Sequence, residues 1–385
     1  MSKMILSFIE EAKNIYGNEF IPLHRPVFEG NERAYLIDCI DSNFVSSVGE
    51  RVSKFEELIA EYTGASHAIA TVNGTAALHT ALVVAGIKRG EEVITQALTF
   101  VATCNAISYT GAVPVFVDVD LDTMGMSPTS LSEFLKNNAE KRDGKAWNKE
   151  TGRLISGCIP MHTFGLPCRI NEIRSICKEW GISLVEDAAE SLGSYIKGRH
   201  TGTIGKIGTL SFNGNKLITT GGGGMLITDC PEIAKKAKHI STTAKIPHSY
   251  EFIHDEVGYN YRMPNINAAL GCAQIEKIDY FLKAKKEVSA RWDNFFSEYN
   301  VTFKKPIDGN TANFWLNVVI MKSKEERDHF LELTNESGVM TRPIWQLMSR
   351  LPMFSNCQNV GLQNSKWLAE RAVNIPSSVP NKITA

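Results

Sequence analysis

Residues 170–187 read INEIRSICKEWGISLVED and contain both kinds of element from which the middle of the chain is built. INEIRSICKEWG predicts a helix, and the short apolar run ISLVED predicts a strand. The same alternation of helix and strand signals extends on both sides of this stretch, from about residue 53 to residue 230.

Further strands are predicted on both sides of this stretch: SHAIATV (66–72), EEVITQA (91–97), VPVFVDV (113–119), LISGCIPMH (154–162), KIGTLSF (206–212) and GGMLIT (223–228). Helical patterns such as GTAALHTALVVAG lie between them, and the polar residues 136–153 are expected to form an exposed loop. Near-continuous apolar strands separated by helices predict an α/β fold, with a mostly parallel central sheet and helices on both faces.

The signal changes near residue 265, where a long helical pattern begins. We therefore expect three parts in the chain. Residues 1–20 form an N-terminal helix, and residues 21–270 form a large domain. Residues 271–385 contain a long connecting helix and a smaller α+β C-terminal domain.

Composition excludes several classes of protein. The net charge is −1, from 41 basic and 42 acidic residues, which gives no electrostatic footprint for nucleic acid. Mean hydropathy is −0.13, and no apolar run approaches the roughly 20 residues of a membrane span. None of the eight cysteines forms a CxxC pair, and no metal site is expected. The N-terminus lacks the layout of a signal peptide, so the cytoplasm is the expected compartment.

The first candidate for chemistry lies in ISLVEDAAES, residues 182–191. Asp187 follows an apolar strand and is therefore expected at the carboxyl end of that strand, where open α/β sheets bind their ligands. The alternative interpretation is a helix N-cap or a salt-bridged surface carboxylate.

The second candidate is Lys216, in the stretch TLSFNGNKLITTGGGGMLIT of residues 209–228. Four consecutive glycines, Gly221 to Gly224, are costly in chain entropy, and close approach of the backbone to a flat ligand would explain them. The alternative is a flexible hairpin with a solvated lysine. The order of residues excludes a Walker A loop, and no GxGxxG follows any predicted strand.

The third candidate is the turn Asn73-Gly74-Thr75 between a predicted strand and a predicted helix, because free N–H groups at a helix start bind anions. A phosphate cradle, a strand-end carboxylate and a lysine in a glycine-rich loop are together what pyridoxal phosphate requires. The lysine forms the Schiff base, and the carboxylate keeps the pyridine nitrogen protonated. Phe100 is placed to stack on the ring, although a core phenylalanine is the alternative.

With these motifs the sequence resembles the sugar aminotransferases of the DegT/DnrJ/EryC1/StrS family, which are fold-type-I pyridoxal 5'-phosphate enzymes. The resemblance covers about residues 20 to 380 and is carried most specifically by VNGTAAL, EDAAESLGS, SFNGNKLITTGGGGM and GYNYRMPNI. The motifs PVFEGNE, FVSSVGERVSKFE and TRPIW are most similar to the subgroup that makes UDP-4-amino-4,6-dideoxy-N-acetylglucosamine.

The resemblance implies roles for individual residues. Lys216 would bond to the cofactor, and Asp187 would face the ring nitrogen. Gly74, Thr75 and Ser211 would hold the phosphate.

Three further residues would surround the cofactor. Phe100 would lie over the ring, and Glu190 would lie near the phenolic oxygen. Asn260 would reach the phosphate of the neighbouring subunit's cofactor, which implies a homodimer with shared active sites.

Substrate contacts are implied at three more positions. His162 would lie near the cofactor, with a packed structural histidine as the alternative. Arg262 and Arg342 would bind the substrate's phosphates or the amino donor's carboxylate, with a structural ion pair as the alternative for each.

The implied reaction moves an amino group from L-glutamate to C4 of a UDP-linked 4-keto-6-deoxy sugar, UDP-4-keto-6-deoxy-N-acetylglucosamine, with ping-pong kinetics. A GDP-4-keto-6-deoxymannose aminotransferase of the perosamine type is the alternative substrate class. The dehydrase branch of the family commonly has His in place of the lysine, so Lys216 argues against it. A non-catalytic regulatory or binding protein on the same fold is the alternative of another class.

Two features depart from the subgroup. The loop QLMSRLPMF has Ser349 where a histidine is expected, so a substrate role for that loop is in doubt. The sequence ends at NIPSSVPNKITA, where relatives usually continue into a helix, and we therefore expect a trimmed small domain or a missing last helix.

Overall fold

The computed structural model describes residues 2–380. Its strands are β1 (His67–Thr71), β2 (Glu92–Gln96), β3 (Val113–Val117), β4 (Ala139–Arg142), β5 (Lys145–Asn148), β6 (Leu154–Ile159), β7 (Ser183–Asp187), β8 (Tyr195–Ile196), β9 (Arg199–His200), β10 (Ile207–Ser211), β11 (Gly224–Thr228), β12 (Lys245–Ile246), β13 (Ile253–His254), β14 (Thr302–Phe303), β15 (Asn310–Thr311), β16 (Asn317–Ile320), β17 (Arg342–Pro343) and β18 (Ala372–Ile375).

The helices of the same residues are α1 (Ser2–Tyr16), α2 (Glu32–Asp41), α3 (Glu50–Thr63), α4 (Gly74–Val84), α5 (Val101–Tyr109), α6 (Pro128–Asn138), α7 (Ile170–Trp180), α8 (Pro231–Ser241), α9 (Asn265–Ile275), α10 (Ile278–Glu298), α11 (Lys324–Glu336) and α12 (Gln363–Arg371). Within residues 2–380, no helix combines the length and the apolar character that a membrane crossing needs.

The central sheet follows the order β1-β11-β10-β7-β6-β2-β3, with the β4–β5 hairpin attached to β6. β11 is antiparallel to both of its neighbours, whereas the pairs from β10 to β3 are parallel. Adjacent residues of β2 belong to different cores, since Val93 packs with α4, α5 and α8 while Ile94 packs with α6 and α7. The sheet is therefore covered on both faces, and the predicted fold class is confirmed.

Residues 136–153 were expected to form an exposed loop, but only residues 143–144 and 149–153 lie outside helices and strands. α6 continues to Asn138, and β4 and β5 then form an antiparallel hairpin. Asp143 and Gly144 connect the two strands with φ of +50° and +73°. Asp-Gly is a favoured pair for such turns, because both positions require a positive φ. The Asp143-Gly144 dipeptide therefore indicated a hairpin, but the polar composition of residues 136–153 favoured a loop.

The second half of the chain contains a smaller antiparallel sheet in the order β14-β16-β18-β17. The long helical pattern after residue 264 forms two helices, α9 and α10, which are separated at Glu276 and Lys277. α1 packs with α10, α11 and the small sheet around a shared apolar core. The division of the chain at residues 20 and 270 stays a prediction, and residues 381–385 of the sequence's end lie outside the described residues.

The core around α1 yields a stability prediction. Phe8 is fully buried, with its ring centroid 5.0 Å from that of Trp292 and 4.9 Å from that of Phe330. Phe8→Ala should lower the free energy of unfolding by about 3–5 kcal/mol, because it leaves a cavity among aromatic rings. Leu6→Ala, at an exposed position of the same helix, should change it by less than about 0.5 kcal/mol. Urea unfolding of both variants measures the difference, and equal effects would contradict this packing.

Candidate active site

A cavity of about 340 Å³ opens at the carboxyl-end edge of the central sheet. β7 ends there at Asp187, β10 ends at Ser211, and α4 begins at Gly74. Eight residues singled out from the sequence line this one cavity: Asn73, Gly74, Thr75, Phe100, Asp187, Glu190, Ser211 and Lys216.

The helix start at α4 is built to hold an anion. Asn73 caps it, since the N–H of Ala76 donates to Asn73 Oδ1 at 2.8 Å. A Cβ added at Gly74 would lie 2.9 Å from the Cβ of Ser211, so only glycine lets the turn approach the end of β10 this closely. The helix N-terminus and the hydroxyls of Thr75 and Ser211 therefore line the same part of the cavity, which suits a phosphate group.

Two of the four consecutive glycines are required by close contacts within the chain. A Cβ at Gly224 would lie 2.4 Å from the carbonyl oxygen of Asn73, and one at Gly223 would lie 2.2 Å from Thr220 Oγ1. None of the four is among the residues that line the cavity. Gly224 thus permits close approach to the turn Asn73-Gly74-Thr75, which we call the phosphate turn, and Gly223 permits close approach to Thr220.

Asp187 is a buried carboxylate at the inner end of the cavity. Thr103 Oγ1 donates to its Oδ2 at 2.7 Å, and the N–H of Ala189 donates to its Oδ1 at 3.2 Å. Burial raises the pKa of Asp187, and these hydrogen bonds oppose that rise. A positively charged ring nitrogen would supply the missing counter-charge, so the carboxylate fits a protonated pyridine.

Lys216 is paired with Glu190, whose Oε1 lies 3.2 Å from Lys216 Nζ. Phe164 donates its N–H to the other oxygen of Glu190 at 2.8 Å, from a left-handed backbone position with φ of +57°. Burial raises the pKa of Glu190 to about 7, although Lys216 opposes that rise. A lysine amine and a carboxyl group that titrates near neutral pH thus share the cavity.

His162 is directed away from the cavity. Its backbone N–H donates to the carbonyl of Asp187 at 3.1 Å, but its ring is fully buried beside Glu186. Nδ1 accepts from the backbone N–H of Cys168, so the proton lies on Nε2, which donates to Glu186 at 3.0 Å. The packed, hydrogen-bonded alternative is the arrangement in this structure.

Three other expected residues do not line this cavity. Asn260 is exposed, on a segment that pairs with the chain just before the phosphate turn through the N–H of Val72 and the carbonyl of Tyr261. Arg262 is half-buried on the same segment, and Arg342 is exposed on β17. Ser349 lies in a short 3₁₀ turn, Met348–Arg350, outside the cavity. Their roles stay predictions.

Sequence reasoning missed three residues at the site. Trp315 and Trp345 line the cavity from the second half of the chain, and Thr103 orients Asp187 from the first turn of α5. Trp345 lies within TRPIW, so that motif carried a signal. Trp315 and Thr103 carry none, because their positions depend on tertiary packing.

These residues fit pyridoxal 5'-phosphate: a helix start for the phosphate, a buried carboxylate for the ring nitrogen and a lysine amine for the aldehyde. Together with the mostly parallel sheet, they define a fold-type-I pyridoxal-phosphate-dependent transferase. Comparison with known proteins gives the family.

Residues 27–381 match the DegT/DnrJ/EryC1/StrS aminotransferase family. The chain is 36% identical over 335 residues to EpsN of Bacillus subtilis, and the match covers 87% of this chain and 84% of EpsN. It is 34% identical over 361 residues to the GDP-perosamine synthase of Escherichia coli O157:H7, covering 93% of each. The chain therefore belongs to this family and is an aminotransferase with pyridoxal 5'-phosphate as its cofactor.

A solved structure agrees with the fold. The aminotransferase TlmJ from Streptoalloteichus hindustanus superposes with a TM-score of 0.83 at 26% identity. The superposition covers 92% of this chain and 93% of TlmJ. The likeness thus extends over both the large sheet and the smaller C-terminal sheet.

The raised pKa of Glu190 predicts a dependence of stability on pH. Between its ordinary value of 4.5 and about 7, the folded protein keeps a proton on Glu190 that the unfolded chain has lost. Stability contributed by this group therefore falls as pH rises through that interval. In the cofactor-free protein, Glu190→Gln should gain stability relative to the unaltered protein between pH 5 and pH 8.

The measurement is urea unfolding of both proteins at the two pH values. Glu29→Gln, at an exposed glutamate, is the control and should show no such pH-dependent gain. If the difference between Glu190→Gln and the unaltered protein were the same at pH 5 and pH 8, the buried carboxyl would not titrate as described.

Proposed function

We propose that this aminotransferase moves an amino group from L-glutamate to the C4 keto group of a nucleotide-linked 6-deoxy sugar. The observation that carries the proposal is the convergence of Lys216, Asp187 and the phosphate turn on one cavity. The family and the named relatives support a sugar as the acceptor. The two amino-group transfers use the same site in turn, so ping-pong kinetics are expected.

Each residue of the site has a distinct part in this proposal. When bound, pyridoxal phosphate supplies an electron-withdrawing ring that lets an amino acid lose its α proton. Lys216 takes up and returns that proton at Nζ, as a general base and acid held within the cavity. Asp187 holds positive charge on the ring nitrogen. Glu190 holds or releases a proton beside Lys216, since its pKa is about 7.

The identity of the nucleotide carried by the sugar substrate must be decided separately. The expected UDP-linked sugar draws no support from the relatives named above, whereas the GDP-linked alternative is favoured by the 34% identity to a GDP-perosamine synthase over 93% of the chain. We therefore propose GDP-4-keto-6-deoxymannose as the acceptor, with UDP-4-keto-6-deoxy-N-acetylglucosamine as the competing substrate.

Mass spectrometry of the products decides between the two acceptors. The purified protein, loaded with cofactor, is incubated with L-glutamate and each keto sugar separately. Conversion of the GDP-linked sugar to its 4-amino product, with kcat/KM at least about tenfold above that for the UDP-linked sugar, is the expected result. The reverse preference would overturn the choice of nucleotide, and turnover of neither sugar would overturn the proposed reaction.

We also propose that the protein acts as a homodimer in which Asn260 serves the partner's site. Asn260 is exposed and does not line the cavity of its own subunit. It lies on the segment that pairs with the chain just before the phosphate turn. Tyr250, Phe252 and Val257, on the same part of the chain, are each more than 80% exposed. A second copy that covers these apolar side chains would bring Asn260 to another subunit.

Subunit mixing tests this arrangement. Lys216→Ala and Asn260→Asp are each expected to be inactive, the second because it places a negative charge beside the partner's phosphate. Co-expressed together, they should restore about a quarter of the unaltered activity, since half of the dimers are mixed and each mixed dimer has one intact site. Activity that never exceeds the mean of the two parents would contradict a shared site.

The cytoplasm is the proposed compartment. All eight cysteines lie within the described residues as free thiols, six of them buried. Free thiols are typical of a reducing environment.

A further inference from the structure

The amine of Lys216 rests between two groups of different character. Glu190 Oε1 lies 3.2 Å from Nζ on one side. On another side, Nζ lies 3.7 Å from the centroid of the Trp315 ring, which is the distance of a close cation–π contact. The Lys216 side chain is only 13% exposed, so this contact is largely shielded from water.

Trp315 is itself fixed by one hydrogen bond to the loop that carries Lys216 and by two others at its backbone. Its indole Nε1 donates to the carbonyl of Asn215 at 2.6 Å. Its backbone carbonyl accepts from the buried amine of Lys285 at 3.2 Å, and its backbone N–H donates to Asn313 Oδ1 at 2.8 Å. The ring therefore has little freedom to move away from Lys216.

The same short segment also holds the loop of Glu190. Asn313 Nδ2 donates to the carbonyl of Glu190 at 2.8 Å and to that of Leu192 at 2.9 Å. Residues 313–315 thus bond to both loops whose side chains form the Lys216–Glu190 pair. We call this segment the strap.

We propose that Trp315 is a positioning residue whose ring face holds the free amine of Lys216 inside the cavity whenever that amine is not bonded to the cofactor. The proposal rests on the role of Lys216 in the proposed function, but not on the identity of the sugar. A lysine side chain has four rotatable bonds and a strongly hydrated head, so an unheld amine spends much of its time out of reach. The strap limits the movement of the Lys216 amine through its contact with the face of the Trp315 ring.

The step that depends on this restriction is attachment of the cofactor. The nitrogen of Lys216 forms a double bond to the aldehyde carbon, and the carbon–oxygen double bond breaks. Lys216 is an ammonium while the ring face holds it, so it first passes one proton to the Glu190 carboxylate, whose Oε1 lies 3.2 Å away. The oxygen then leaves as water with the two remaining hydrogens of the amine, so no oxidant or reductant is needed. The rate of such a step depends on how often the amine lies in reach of the carbon.

Two cofactor forms separate positioning from general damage to the site. Pyridoxal phosphate attaches covalently to the cofactor-free protein, and its visible absorbance follows the rate. Pyridoxamine phosphate has no aldehyde and reports only on the intact cavity. Because Trp315 lines the cavity, Trp315→Leu should lower the affinity for pyridoxamine phosphate, but it should slow attachment by a much larger factor, about tenfold or more. Trp315→Phe keeps a ring face without the indole N–H and should recover most of the rate.

A series of fluorinated tryptophans provides a control that does not depend on whether the substituted variants fold. Fluorinated tryptophans weaken the negative face of the ring at nearly constant shape, so the attachment rate should fall as the number of fluorines rises. In Trp315→Phe protein, the same series should have no effect. Trp367→Leu, which removes a ring 5.0 Å from Arg371 on α12, is the matched control and should leave both readouts unchanged.

Three results would overturn the proposal. One is equal loss of pyridoxamine phosphate affinity and attachment rate in Trp315→Leu, which indicates structural damage alone. Another is a Trp315→Phe protein as slow as Trp315→Leu, and the third is an attachment rate that does not respond to fluorination. Covalent attachment that persists in Lys216→Ala would instead overturn the proposed function itself.

Discussion

The carboxyl ends of β7 and β10 meet the first turn of α4 at one edge of the central sheet, and the chemistry of the protein depends on that meeting. Parallel strands necessarily end on the same side, so Asp187 and Ser211 are brought together by topology although 24 positions separate them. The antiparallel β11 then starts beside Asn73, where only glycine allows the contact. A fixed edge of this kind can hold a flat, phosphate-bearing cofactor at three points.

Burial changes the pKa values of the carboxyl groups at this edge of the sheet. Asp187 and Glu190 both lie in a poorly solvated site, and burial raises the pKa of each. Beneath them, Glu186 accepts hydrogen bonds from three backbone N–H groups and from His162, which together lower its pKa despite its burial. Glu186, whose carboxylate accepts all of these hydrogen bonds, therefore supports the fold. Asp187 and Glu190 accept fewer hydrogen bonds and face the cavity, where they are available to a cationic ring nitrogen and to the lysine amine, respectively.

Local sequence patterns predicted the parallel sheet, the phosphate turn and the positions of Asp187 and Lys216, because each depends on short-range periodicity or on the place where a strand ends. The β4–β5 hairpin was missed since its polar composition outweighed the Asp143-Gly144 turn signal. The purpose of the glycine run and the contact of Trp315 with Lys216 depend on distant parts of the chain packing together. Likewise, the nucleotide of the substrate has no local signature, and the resemblance alone favoured a different one from the relatives.

In the proposed reaction Lys216, and no other lysine, bonds to the cofactor. Reduction of the cofactor-loaded protein with borohydride makes that bond permanent, and mass spectrometry of the digested protein then locates the added phosphopyridoxyl group. We expect the added mass on the peptide that contains Lys216. Its appearance on another lysine, such as the buried Lys285, or its absence from every peptide would show that Lys216 does not bond to the cofactor.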